Sequence, residues 1–274
     1  MGVILANIAF ISVSLLTTEE SFLTWGWRIP FIISFVLVII SMYIQLKLED
    51  TKAFKELEAA KDSQDGEGKV IKTSPILEAL KRYPKRISLA AGAFLSVQVT
   101  FYILVAFVLA YGVETTNLSR NDLLIAVLIG SAVMVPTQFF FSDYSDKKGR
   151  KGIFMTGALL TAIWSFFLFP LIDTGNFYLV ILSVTVGLTF LGMMYGPQAA
   201  FFAELFTTEV RYSGASLGYQ IGAIIGGSFA PTIATLLWTS YDIFWVSVYI
   251  AFASLASLAS VYFLTETYQT NLNE

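Results

Sequence analysis

Side chains able to do chemistry are sparse in this chain, and their densest group is Ser142-Asp143-Tyr144-Ser145-Asp146-Lys147-Lys148-Gly149-Arg150-Lys151. Its four cations and two carboxylates can pair and shape a turn, but no nucleophile stands beside a base. Glu204 and Arg211 bracket a second, smaller charged break. The other candidates are uncharged: Asn7, Gln98, Thr100 and Tyr102, then Tyr195, Gln198, Tyr219 and Gln220, each inside an apolar run. Polar groups at that depth either bond neighbouring helices or face a water-filled cavity, where they hold a solute without transforming it. Cysteine and histidine are both absent, so thiolate metal sites, disulfides and the usual near-neutral proton carrier are excluded. Proton chemistry falls to carboxylates, and neither cofactor nor metal is expected.

The elements that must carry these residues are membrane helices. The chain has 274 residues, 56% of them hydrophobic and only 14% charged, with a mean hydropathy of +0.70. A soluble domain carries nearer 25% charge, roughly, so the lipid bilayer is the first partner and nucleic acid is not one. Eight uncharged runs follow one another: Met1–Thr18, Ile29–Leu46, Ile87–Val113, Leu123–Ser142, Gly152–Ile172, Thr174–Ala203, Tyr212–Tyr241 and Ile243–Thr265. About 20 apolar residues cross a bilayer as a helix, so these runs predict an all-α polytopic protein of eight spans, the first marginal in length. Barrel strands would be half as long and would alternate.

Lys and Arg orient the spans. With Met1 on the cytoplasmic side, inner segments hold fifteen of the 17 cations and outer ones only Arg28 and Arg120. Both termini are then cytoplasmic. The charged stretch reads as a tight cytoplasmic hinge, with Asp146 placed to cap the following helix and Gly149 permitting the turn. Residues 47–86 form a cytoplasmic linker between the helices of 1–46 and those of 87–265, and 266–274 is a cytoplasmic tail. Within the linker, Lys61 to Lys69 should be flexible, while Ala53 to Ala60 and Pro75 to Lys81 suggest short amphipathic helices, the second capped by Ser74. Trp25, Trp27 and Arg28 suit an outer interface. Gly214, Gly218, Gly222 and Gly226 recur every four residues, a bare face for close helix packing. Tyr195, Gln198, Tyr219 and Gln220 lie in the cytoplasmic third of their helices, where they can line an inner gate.

The hinge, the stretch Trp25-Gly26-Trp27-Arg28-Ile29-Pro30-Phe31, the run from Ala203 through Glu204 and Arg211 to Gly214, and Gly226-Gly227-Ser228-Phe229-Ala230-Pro231 together resemble the metabolite:proton symporter branch of the major facilitator superfamily. Residues 146–151 are similar to that superfamily's repeated loop motif, with one departure: Ser142 stands where glycine is expected, which predicts looser packing. The resemblance implies two six-helix bundles rocking about a central site, with the eight runs as helices 5 to 12 of that fold. It implies a small polar metabolite as substrate, an organic acid or a zwitterion, and protons as the coupling ion. No Asp or Glu lies deep in any run, so the coupling carboxylate is expected in four further helices, and residues 1–274 alone are expected not to transport. Proton-coupled uptake by membranes holding only these residues would sink that expectation. The competing reading is a receptor or partner-dependent subunit built on a transporter-like bundle. An enzyme and a channel are disfavoured by the lack of a catalytic cluster and of charged rings. The sequence assigns no oligomeric state.

Overall fold

A single apolar run in lipid can satisfy its own backbone only as a helix, and helices are what form. The computed structural model describes residues 2–47, 75–207 and 210–267, and every element among them is helical. The chain divides into two compact units, one of Met1–Ile8 with Pro75–Glu274 and the other of Ala9–Ser74.

Helix α1 is Gly2–Leu16, α2 is Glu19–Thr24, and α3, Ile29–Lys47, follows a single 3-10 turn. In the smaller unit, the Thr18 hydroxyl accepts the Ser21 N–H and so caps α2. Arg28 lies over the Trp27 ring at 4.6 Å, and Pro30 occupies the first turn of α3, where no intrahelical N–H is needed. No residue of α3 is buried, so its apolar side chains face outward around the whole circumference.

The larger unit continues with α4 (Pro75–Arg82), α5 (Pro84–Thr115), α6 (Arg120–Lys148), α7 (Arg150–Asp173), α8 (Phe177–Glu204), α9 (Arg211–Ser240) and α10 (Ile243–Phe263). Short links join the long helices α5 to α10. Seven helices, α3 and α5 to α10, are long and apolar enough to cross a membrane. The first expected span is the 15-residue α1, which at about 1.5 Å per residue falls short of the roughly 30 Å hydrocarbon core. The protein is a polytopic helical membrane protein. Helix α4 forms as expected. The expected helix at 53–60, the flexible middle at 61–69, the Ser74 cap and residues 268–274 lie outside the described residues.

Polar caps start the helices at the end remote from residue 149. Ser119 and Asp122 form a reciprocal capping box on α6, Asn176 accepts from two N–H groups of α8, and Asp242 caps α10. Helix α8 packs on α6 and α7, α10 on α7 and α5, and α9 on α5. The glycine face of α9 makes the last contact close, as expected: a Cβ on Gly222 would lie 2.7 Å from the Ala91 carbonyl oxygen and from Phe94 Cβ. Looser packing around Ser142 is not found, because Gly196 brings α8 against α6; a Cβ there would lie 2.7 Å from the Gln138 oxygen and 3.3 Å from the Ser142 nitrogen.

Candidate functional site

The expected ten-residue hinge is a single residue. Helix α6 runs on through Lys148 and α7 starts at Arg150, so Gly149 alone reverses the chain, with φ 106° and ψ 143°. That φ suits glycine and strains any residue with a side chain. Asp146 does not cap α7: it lies one turn back inside α6, and the position that could cap is Gly149, which has no side chain. The tail supplies what the hinge lacks. Glu266 accepts the Arg150 N–H at 3.0 Å and the Lys151 N–H at 3.1 Å, placing a carboxylate on the orphan donors of the α7 N-terminus.

The Arg150 side chain turns the other way, into an ion cluster. Its Nε and one terminal nitrogen each donate at 2.7 Å to Glu204, in a two-pronged pairing, and the other terminal nitrogen donates to Asp146, also at 2.7 Å. Arg150 and Glu204 side chains are each only 10% exposed, whereas Asp146 is 56% exposed. Thr267 donates its hydroxyl to Glu204 at 2.6 Å, and Lys151 holds the carbonyls of Tyr262 and Leu264 where α10 ends. Arg211 directs its Nε at the Phe206 carbonyl at 3.4 Å.

A second constellation lies between the helices. Gln98 and Tyr102 of α5, Ser131 and Gln138 of α6, and Tyr195 and Tyr219 line a cavity of about 360 Å³. A further cavity of about 250 Å³ is lined by Gln198, Ser216 and Gln220 and by the same two tyrosines. Tyr195 and Tyr219 are thus a shared wall. Tyr219 is braced from behind by Phe94, ring centres 4.0 Å apart. Gln198 is only 3% exposed, and its side-chain oxygen has no partner. None of these lining residues is charged, so the space offers phenols, amides and hydroxyls to a solute.

Helical geometry decides which expected residues meet. Gln98 and Tyr102 are four apart and share a face, but Thr100 falls between them and points elsewhere. Thr100 and Asn7 are buried, each with an unpartnered polar atom, and line neither cavity. Ser131 and Gln138 were missed, although Ser131, Met134, Val135 and Gln138 have the spacing of one helical face and all four line the larger cavity. Glu266 and Thr267 left no such signal, since their partners lie far away in sequence.

The chain matches the Major Facilitator Superfamily over residues 3–217. It belongs to that superfamily. Among its relatives, the inner membrane metabolite transport protein YhjE of Escherichia coli is 33% identical across 99% of this chain and 61% of its own length. The shikimate transporter of the same organism is 32% identical over 90% of this chain and 56% of the relative. The glycine betaine/proline/ectoine/pipecolic acid transporter OusA of Dickeya dadantii is 27% identical over 97% and 53%, respectively. The chain therefore spans between about half and two thirds of the length of these relatives. The superfamily and these relatives are transporters rather than enzymes.

Proposed function

We propose that this chain supplies the solute-facing helices and the hinge of a secondary transporter that moves a small polar metabolite, an organic acid or a zwitterion, by alternating access coupled to protons. The observation that carries the reading is the pair of uncharged cavities divided by Tyr195 and Tyr219. A carrier must open its site to one side at a time, and two side chains standing between two cavities are a simple gate. In this reading Gln98 and Tyr102 hold the solute, and Tyr195, Gln198, Tyr219 and Gln220 form the cytoplasmic gate. Asp146, Gly149, Arg150, Glu204 and Arg211 are the conformational motif. Thr100 and Asn7 enter only if their orphaned atoms reach solute in another state.

The eight runs correspond, in the same reading, to helices 5 to 12. Residues 1–46 supply the last two helices of the first bundle, 47–86 the cytoplasmic linker, 87–265 the second bundle and 266–274 a cytoplasmic tail. Support comes from superfamily membership and the Lys and Arg asymmetry. Proton coupling rests on the resemblance alone.

Counterflow tests the proposal. Proteoliposomes of the transporter purified from its source membrane are loaded with shikimate, proline or glycine betaine, and entry of the labelled solute is followed. Saturable exchange of one of them is the expected result; binding without exchange indicates the receptor reading, and neither binding nor exchange of any of the three rejects the substrate class. An inward proton gradient should drive accumulation by that transporter but not by residues 1–274 alone, whose runs hold no deep carboxylate.

A further inference from the structure

On either side of the residues that face the larger cavity helix α5 carries a mark, a hydroxyl from α10 on its backbone on one side and a π turn on the other. The Ser257 hydroxyl of α10 accepts the Ser96 N–H at 2.8 Å and donates to the Gly92 carbonyl at 2.7 Å. Gly92 and Ser96 are four residues apart, the two ends of one rung of an α-helical ladder, so a side chain from another helix sits on that rung. Further along, Ile103–Phe107 form a π turn. Gln98 and Tyr102 lie between the two. Opposite them, a second π turn, Ile224–Ser228 of α9, presents Gly226 and Gly227. A Cβ on Gly226 would lie 3.2 Å from Gln98 Cβ, and one on Gly227 2.8 Å from the Tyr102 ring.

Ser257 has no need of α5 to satisfy its hydroxyl. A helical serine can bond the carbonyl one turn back, as Ser260 does with Ala256 at 2.8 Å. Reaching across instead engages both backbone groups of one rung in a helix that has a π turn about two turns further on, and π turns cluster at functional sites. We propose that Ser257 is a positioning residue: its hydroxyl and the π turn at 103–107 make residues 97–102 a separately adjustable section of cavity wall, and so set where Gln98 and Tyr102 point. The inference rests on the transporter reading only for the statement that this cavity holds the solute.

The test compares Ser257→Ala with Ser254→Ala in the full chain in lipid nanodiscs. Ser254 meets Ser96 at the same interface through a bond between hydroxyls, 2.9 Å, that touches no backbone atom. Amide exchange read by mass spectrometry should be about fivefold faster at 97–107 than at 154–168 of α7 in the unaltered chain, and Ser257→Ala, which leaves the Gly92 carbonyl and the Ser96 N–H to close their own rung, should lower it at 96–102 by about fivefold. Because the chain has no cysteine, a cysteine replacing Gln98 reports side-chain position through its rate of labelling by a small thiol reagent. Ser257→Ala should shift that rate at least about fivefold and Ser254→Ala less than about twofold. Equal effects of the two variants would reduce Ser257 to packing and overturn the proposal, as would uniform exchange along α5 in the unaltered chain, a readout that stands even if Ser257→Ala fails to fold. No solute is needed, so failed counterflow and failed positioning remain separate results.

Discussion

Arg150 illustrates how one side chain can bind three segments of chain. Its guanidinium reaches Glu204 at the end of α8 and Asp146 in the last turn of α6, while its backbone N–H is taken by Glu266 of the tail. With Arg150 and Glu204 both nearly inaccessible, removing Arg150 strands the Glu204 charge away from water, and removing Glu204 leaves the buried guanidinium with Asp146 as its one carboxylate. Arg150→Ala or Glu204→Ala is expected to cost about 3–5 kcal/mol, read as a fall in unfolding temperature in detergent. Asp146→Ala should cost less than about 1 kcal/mol, because its carboxylate is largely solvated. Arg150→Lys keeps the charge but loses the planar fork, and should fall between. In the cavity, Gln98→Leu and Tyr102→Phe each remove one hydrogen-bonding group, so half-saturation in counterflow should rise about tenfold. Thr100→Val should leave it unchanged, since Thr100 lines neither cavity.

Helices are set by their ends and by how closely they approach, and glycine controls both here. Gly149→Ala imposes a Cβ on a backbone at φ 106° and is expected to destabilise by about 1–3 kcal/mol, with limited proteolysis reporting an opened link between α6 and α7. Gly222→Ala meets backbone and side chain of α5 at 2.7 Å, and should cost about 1–3 kcal/mol through a forced shift of α9. The glycine spacing that makes this contact was legible in sequence because a period of four maps directly onto a helical face. The abruptness of the hinge was not: Lys147 and Lys148 look like loop residues, yet at the water-facing end of a helix charged side chains simply continue it. The rung occupied by Ser257 was equally hidden, since nothing near Gly92 or Ser96 indicates which distant serine will reach them. Face-sharing was readable in principle for Gln98 and Tyr102, which the sequence offered together with Thr100 by depth alone, and for Ser131 and Gln138, where the apolar neighbours masked it.

For the molecule as a whole, hydropathy made the class of protein plain, because seven of eight expected runs form helices fit to cross a bilayer. The tertiary cluster at the hinge was not readable, as it joins residues more than a hundred positions apart. The Lys and Arg asymmetry yields a prediction about both at once: alkaline phosphatase fused at Lys148 should be inactive, and fused at Gly175 active, as expected of opposite membrane faces. The reverse pattern would invert the topology. The tail contacts also bear on biogenesis. Residues 150 and 151 emerge from the ribosome early, but the carboxylate that caps them belongs to Glu266, and the hydroxyl that steadies Glu204 belongs to Thr267. The junction between α6 and α7 thus waits, through the insertion of three further helices, for residues 266 and 267 to be made. A chain that stops before Glu266 therefore leaves the N-terminus of α7 without this cap, however completely the helices before it have inserted.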